Sequence, residues 1–312
     1  MKRIRITAGT LLLLAFFSCT VPAFSASPPP MEVFVSVPPQ KWISEQIGGR
    51  FITTHVLVGK GQDPHTYEPT PQQIGALSRA QLYFTLDLQF EGQIIPRLQK
   101  TVPDLRVIDM AASIAKIPMI EHDKDEPRDA EHARGGDHGT AKQMHDHQAG
   151  LDPHVWLSPV NLKIMATNMA QAMIETDPAN KSTYEHNLLA TNKAIDQVHQ
   201  RVEGELAPYQ GASFYVFHPA FGYFAQAYHL HQKAIETGGK SPSPRQLAAL
   251  ITEATAGKAR VIFVQPQFDP KSAQTVATAI NGEVVPLDPL AEEVLSNIEI
   301  MAHKVQAALV AQ

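Results

Sequence analysis

The strongest constraint on the fold lies mid-chain, where a helical repeat runs through residues 178–207 with alternating strand and helix patterns on either side. Asp177 reads as a good N-cap, and Pro178 suits the first helical position. Tyr184, Leu188, Thr191, Ile195, Val198, Val202 and Leu206 recur at spacings of three and four, as on a helix with one buried stripe. Pro208 ends the run. A helix of that length would reach about 45 Å, the span of a small domain. We read it as a rigid strut along two lobes; the plainer reading is an ordinary surface helix.

The flanking segments say what the lobes are made of. Before the strut, residues 31–37, 51–58, 82–85 and 105–108 have strand character, and helices are expected at 38–48, after Pro71 and at 91–99. After it, residues 213–217, 233–236, 260–264 and 283–287 are strand-like, with helices at 244–256 and 270–280. Ser241-Pro242-Ser243-Pro244 is a helix start signal. Strands alternating with helices predict βαβ units. The expected class is therefore α/β: two lobes with mainly parallel sheets flanked by helices, joined by one long rigid helix.

The amino terminus has a different task. Lys2, Arg3 and Arg5 precede an apolar run from Leu11 to Phe17, followed by Ala23-Phe24-Ser25. This is the pattern of a cleavable export signal over residues 1–25, too short in its apolar part to serve as a membrane anchor. It places the product in the periplasm. Cys19, the chain's single cysteine, falls inside the signal, so no disulfide or thiolate metal site is expected. Without Lys2, Arg3 and Arg5, the 26 Lys and Arg become 23 against 31 Asp and Glu, a net charge of −8. That excludes nucleic acid as a partner class and suits a cationic ligand. The expected organisation is an N-terminal lobe over 26–177, the connecting helix over 178–207 and a C-terminal lobe over 208–312.

Residues 121–149 break the pattern. They hold His122, His132, His138, His145 and His147 and eight acidic residues, with no Val, Ile, Leu or aromatic side chain. Such a segment has no apolar area to offset its ordering entropy, which predicts a mobile loop.

Four short segments carry candidate chemistry. They are Asp63-Pro64-His65-Thr66-Tyr67-Glu68-Pro69, Asp152-Pro153-His154-Val155-Trp156-Leu157-Ser158-Pro159, Phe217-His218-Pro219 and Leu287-Asp288-Pro289. His65, His218 and Asp288 follow expected strands, and open α/β sheets bind ligands beyond the carboxyl ends of their strands. His154 lies in a loop before the connecting region. Neighbouring prolines limit backbone freedom and hold the side chains ready. Three neutral imidazoles and one carboxylate make a four-coordinate site that suits Zn²⁺. Its affinity should fall below about pH 6.5 as the imidazoles take protons. Taken singly, each of these histidines could be a hydrogen-bonded structural residue, and Asp288 could merely cap a turn; their shared topological position argues for a joint role. His55, His186, His199, His229, His231 and His303 lack that context and are assigned to structure or surface, with His186 and His199 solvated on the strut.

At these motifs the chain resembles the cluster A-I metal-specific solute-binding proteins of ABC importers, over about residues 32–306. The resemblance implies two α/β lobes joined by one long helix with a metal clamped between them. It also implies His65 and His154 as ligands from the first lobe, and His218 and Asp288 from the second. Manganese-type members usually carry glutamate at the third position; His218 and the His-rich loop resemble the zinc-type branch. The implied function is the periplasmic substrate-binding component of a zinc importer, a non-enzyme and a monomer. Its partners would be a membrane permease with its cytoplasmic ATPase, its cargo Zn²⁺ ahead of Mn²⁺, and 121–149 would gather zinc near the site. The competing readings are a manganese- or iron-type protein or adhesin of the same family, a metal buffer without a transporter, and a zinc hydrolase. The last lacks a His-Glu-x-x-His helix and an evident general base.

Overall fold

The computed structural model describes residues 29–119, 150–236 and 243–312; the expected export signal and the His-rich segment 121–149 lie outside the described residues. Strands β1 (Met31–Val35), β2 (Ile52–Val56), β3 (Leu82–Thr85) and β4 (Arg106–Asp109) form one parallel sheet in the order β2-β1-β3-β4. Helices α1 (Pro38–Gly48), α2 (Pro71–Leu77) and α3 (Gln89–Thr101) connect them. Val33, Val35, Leu82, Tyr83 and Phe84 are fully buried, as expected of parallel strands covered on both faces. Gln40, at the start of α1, accepts from the Ser36 and Val37 N–H groups at 2.8 and 3.0 Å and donates to the Phe84 carbonyl at 3.1 Å. One buried amide thus ties the β1–α1 turn to β3.

The second lobe repeats the order. Strands β5 (Ser213–Val216), β6 (His231–Ala234), β7 (Val261–Val264) and β8 (Glu283–Pro286) form a parallel sheet β6-β5-β7-β8, with α6 (Gly222–Ala227), α7 (Pro244–Ala256) and α8 (Lys271–Ala279) between them. Ser243 caps α7, its hydroxyl accepting from the Gln246 N–H at 3.3 Å, in line with the start signal. In both sheets the path reverses direction between the first and third strands, which opens a crevice at their carboxyl ends.

Between the sheets run α4 (Pro159–Thr176) and α5 (Lys181–Leu206). The long helix exists, but it begins at Lys181 after a tight 3-10 turn at Pro178–Asn180. Asp177 is diverted from capping: its carboxylate accepts from Asn180 Nδ2 and the Tyr184 hydroxyl, both at 2.7 Å. Tyr184, Thr191, Ile195, Val198, Val202 and Leu206 are buried along α5, while Leu188 is half-buried. Helix α5 packs on α1 and α4 on one side and on the C-terminal helix α9 (Val294–Val310), which the sequence reading leaves unassigned, on the other. His186 is exposed as expected, whereas His199 is half-buried with its ring against Tyr228.

One apolar core runs from Val33 and Phe84 through Met165 and Ile195 to Phe214 and Phe263, so it belongs to both lobes; a second covers the other face of the C-terminal sheet. Trp156 is fully buried and donates its indole N–H to the Pro289 carbonyl at 2.7 Å, a direct tie between the lobes. No helix among the described residues is long and apolar enough to cross a membrane.

Candidate metal centre

His65 and His154 are presented by the same local device. Each follows an Asp-Pro pair, and each aspartate turns back to accept the histidine's own backbone N–H: Asp63 Oδ1 from His65 at 3.0 Å, Asp152 Oδ1 from His154 at 2.9 Å. The proline fixes φ and pushes the aspartate before it to an extended conformation, which leaves the short side chain within reach two residues on. Around His65 the loop is further closed by Thr66, which donates to Asp63 Oδ2 at 3.1 Å, and by the Tyr67 hydroxyl, which donates to the Leu57 carbonyl at 2.7 Å.

His218 is held differently. It follows β5, and Gln265, which follows β7, brackets its backbone: the His218 N–H donates to Gln265 Oε1 at 3.2 Å, and Gln265 Nε2 donates to the His218 carbonyl at 2.7 Å. Phe268 stacks on the imidazole at 5.0 Å between centroids.

These three histidines from separate parts of the chain meet. Their ring centroids lie 5.4, 4.9 and 5.3 Å apart, and one ligand nitrogen from each falls within 4.8 Å of the others. His154 Nδ1 pairs with Asp152 Oδ1 at 2.7 Å and His218 Nδ1 with Glu236 Oε2 at 2.9 Å. A carboxylate that accepts from Nδ1–H holds the ring proton on that nitrogen and leaves Nε2 as a lone pair facing inward. Asp152 and Glu236 are buried, 1% and 3% exposed. Together the two carboxylates match the charge of a divalent ion placed between the rings. His65 Nε2 and His218 Nε2 are themselves buried and find no hydrogen-bond partner among the described residues.

Desolvation pushes the His65 pKa down to about 3, with the neighbouring His154 and His218 adding to the effect. Proton competition at this nitrogen therefore begins far below the value near 6.5 expected of a free imidazole. The small cavity between the rings measures about 10 Å³ and is also lined by Gln267, Phe268, Pro289 and Leu290. A larger cavity of about 770 Å³, which shares Asp152, contains His229 and His231. Among the described residues, His65, His154 and His218 are the group that could hold an ion.

Asp288 stands outside that group. Its Oδ1 already accepts from the Leu290 N–H at 2.9 Å and from Gln267 Nε2 at 3.1 Å, the same Asx turn that positions His65 and His154 but without a histidine at its end. The sequence reading also passes over Asp152 and Glu236 as carboxylates behind the rings, and over Gln267. Asp152 was legible only as a turn former. Glu236 was hidden because its strand, expected at 233–236, lies at His231–Ala234 and leaves Glu236 beyond the strand end.

The chain is similar to proteins named for zinc uptake. A family profile described as ZnuA, zinc-uptake complex component A, periplasmic, matches residues 33–309. The high-affinity zinc uptake system protein ZnuA of Yersinia pestis is 28% identical over 262 residues, covering 83% of this chain and 82% of that protein. A crystal structure of a ZnuA superposes with a TM-score of 0.78 at 36% identity, over 89% of this chain and 99% of the other. A ZnuA deletion mutant with zinc bound gives 0.79 at 35%, over 91% and 99%.

Proposed function

The chain belongs to the ZnuA family of zinc-uptake components, metal-binding solute-binding proteins of ABC importers, and from that premise we propose that it captures Zn²⁺ between its lobes and delivers it to a membrane permease. His65, His154 and His218 are the ligands in this reading. What carries it is the convergence of three ligand nitrogens within 4.8 Å of one another, two of their rings backed by buried carboxylates.

Three imidazoles favour zinc over manganese, which prefers carboxylate-rich sites. The two lobes supply ligands to one ion but share a core, so loading should move them little, by small shifts of packed helices. The cavity of about 10 Å³ takes little more than one water-sized body. That leaves no place for an ester or peptide beside the ion, which favours capture over hydrolysis. Export through residues 1–25 would put the protein in the periplasm, and docking of the loaded form on a permease coupled to a cytoplasmic ATPase would complete uptake.

The decisive experiment is metal titration of the exported protein against a competing chelator. One equivalent of zinc per chain is expected, held in preference to manganese, and the variant His65→Ala/His154→Ala/His218→Ala should bind none. A triple variant that still takes up one equivalent as tightly would sink the reading. The transport half is tested by growth on scarce zinc: the triple variant should fail to restore a strain lacking the protein.

A further inference from the structure

Gln267 lies on the loop after β7, in Gln265-Pro266-Gln267-Phe268, and lines the same small cavity as the three histidines. One end of its amide is tethered, with Nε2 donating to Asp288 Oδ1 at 3.1 Å. That oxygen is itself fixed by the Leu290 N–H at 2.9 Å. An ionised carboxylate can only accept, so the amide NH₂ must face Asp288 and the amide oxygen must face away. Gln267 Oε1 is buried and, among the described residues, without a hydrogen-bond partner, as are His65 Nε2 and His218 Nε2.

These unpaired atoms share a chemistry. With His218 Nδ1 paired to Glu236 and His65 in the tautomer that offers Nε2, two are nitrogen lone pairs and one is an amide oxygen, so none can donate to another. A water has two protons and would leave one of the three unsatisfied. A cation satisfies all three together with His154. The cavity of about 10 Å³ is about one water in size, so an ion seated there leaves no room for a separate bound water.

We propose that Gln267 is a fourth metal contact, its amide oxygen aimed by Asp288 and closing the coordination of the ion held by His65, His154 and His218. The inference rests on the metal-capture reading above. It makes Asp288 a positioning residue and the four donors all neutral, with the ion's charge matched by Asp152 and Glu236 behind the rings.

The test uses Gln267→Leu beside the unaltered chain, with zinc affinity, apo thermal stability and the cobalt-loaded visible spectrum as readouts. Zinc affinity of Gln267→Leu is expected to fall by about 10- to 100-fold. Its apo thermal midpoint should change little, because losing the Nε2 hydrogen bond to Asp288 is offset by removing a buried acceptor that had no partner. Cobalt in the unaltered chain should give a spectrum constant from about pH 7 to 9, since an amide has no proton to lose, whereas a metal-bound water ionises near neutrality. Gln267→Leu, with water in the fourth position, should acquire that pH dependence. Asp288→Asn, which lets the amide turn round, should lose less affinity than Gln267→Leu. Unchanged zinc affinity in Gln267→Leu, or a titrating cobalt spectrum in the unaltered chain, overturns the proposal. The second measurement needs no variant and stands even if Gln267→Leu fails to fold. An unaltered chain that binds no zinc at all would instead bring down the capture reading itself.

Discussion

In the amino-terminal half, the loops that carry His65 and His154 hold themselves: an aspartate two residues earlier accepts each histidine's N–H. In the carboxyl-terminal half, His218 is fixed by Gln265, 47 residues away, which takes its N–H and gives to its carbonyl. The strand order is the same in both sheets, so topology does not explain the contrast. The difference lies in where the ligand sits. His65 and His154 project from loops that need an internal brace. His218 follows a central strand whose neighbour β7 already lies alongside, so a side chain from that neighbour can do the bracing. Rigidity at a binding site can thus come from local turn chemistry or from sheet register, and each fails in its own way.

The largest expected effect treats the halves alike. His65→Ala and His218→Ala should each weaken zinc binding by more than the about 10- to 100-fold associated with losing an outer-shell partner, measured by chelator competition. A tolerated His218→Ala would mean that the second lobe contributes no ligand. Next come the carboxylates behind the rings. Asp152 holds both the backbone and the ring of His154, whereas Glu236 contacts only the ring of His218. Asp152→Ala should therefore fall at the upper end of the about 10- to 100-fold range and Glu236→Ala at the lower end. Gly222→Ala should imitate a mild Asp152 defect, because a Cβ there would lie 2.7 Å from Asp152 Oδ2.

A stability measurement sharpens the contrast further. Gln265 is 1% exposed, and Gln265→Ala strands the buried His218 N–H, at about 1–3 kcal/mol for a group left unpaired, while the His218 carbonyl keeps the Ala220 N–H at 2.8 Å. Asp63→Ala opens a half-buried turn that water can reach, with a loss nearer the about 0.5–1.5 kcal/mol of an ordinary hydrogen bond. Urea midpoints of the two apo variants should rank accordingly; equal midpoints would erase the distinction. Close to neutral pH, the smallest effect is that of pH itself. His65 has a folded pKa of about 3 against about 6.5 unfolded, so between these values the unfolded chain binds the extra proton. Apo stability should accordingly decline as pH falls from about 6.5 toward 3, and His65→Gln should flatten part of that slope in thermal melts.

The edge strands at 105–108 and 283–287 were legible in the sequence, but the clearest strands are those of the sheet interiors. Val33-Phe34-Val35 and Val261-Ile262-Phe263-Val264 are continuous apolar runs, and both became central strands. Strand β6 is an edge strand of sequence His231-Gln232-Lys233-Ala234, with no apolar pattern to mark it. Its position follows from pairing with β5, Ser213 against His231, and the sequence reading placed it two residues late. At the site, Asp-Pro-His announced itself twice because an aspartate and the N–H two residues on are local partners. The same logic drew attention to Asp288, where the turn is real.

The sequence by itself determined the local pieces: two runs of alternating strands and helices, a long amphipathic helix between them, and polar side chains delivered at strand ends by proline-braced turns. These depend on interactions within a few residues, which composition and spacing record. Only the tertiary structure decided which of those side chains meet. That His218 faces His65 and His154 while Asp288 turns to Leu290 and Gln267 depends on sheet register and on how the two lobes pack around one core. Those are sums over many distant contacts, and no short stretch of residues encodes them.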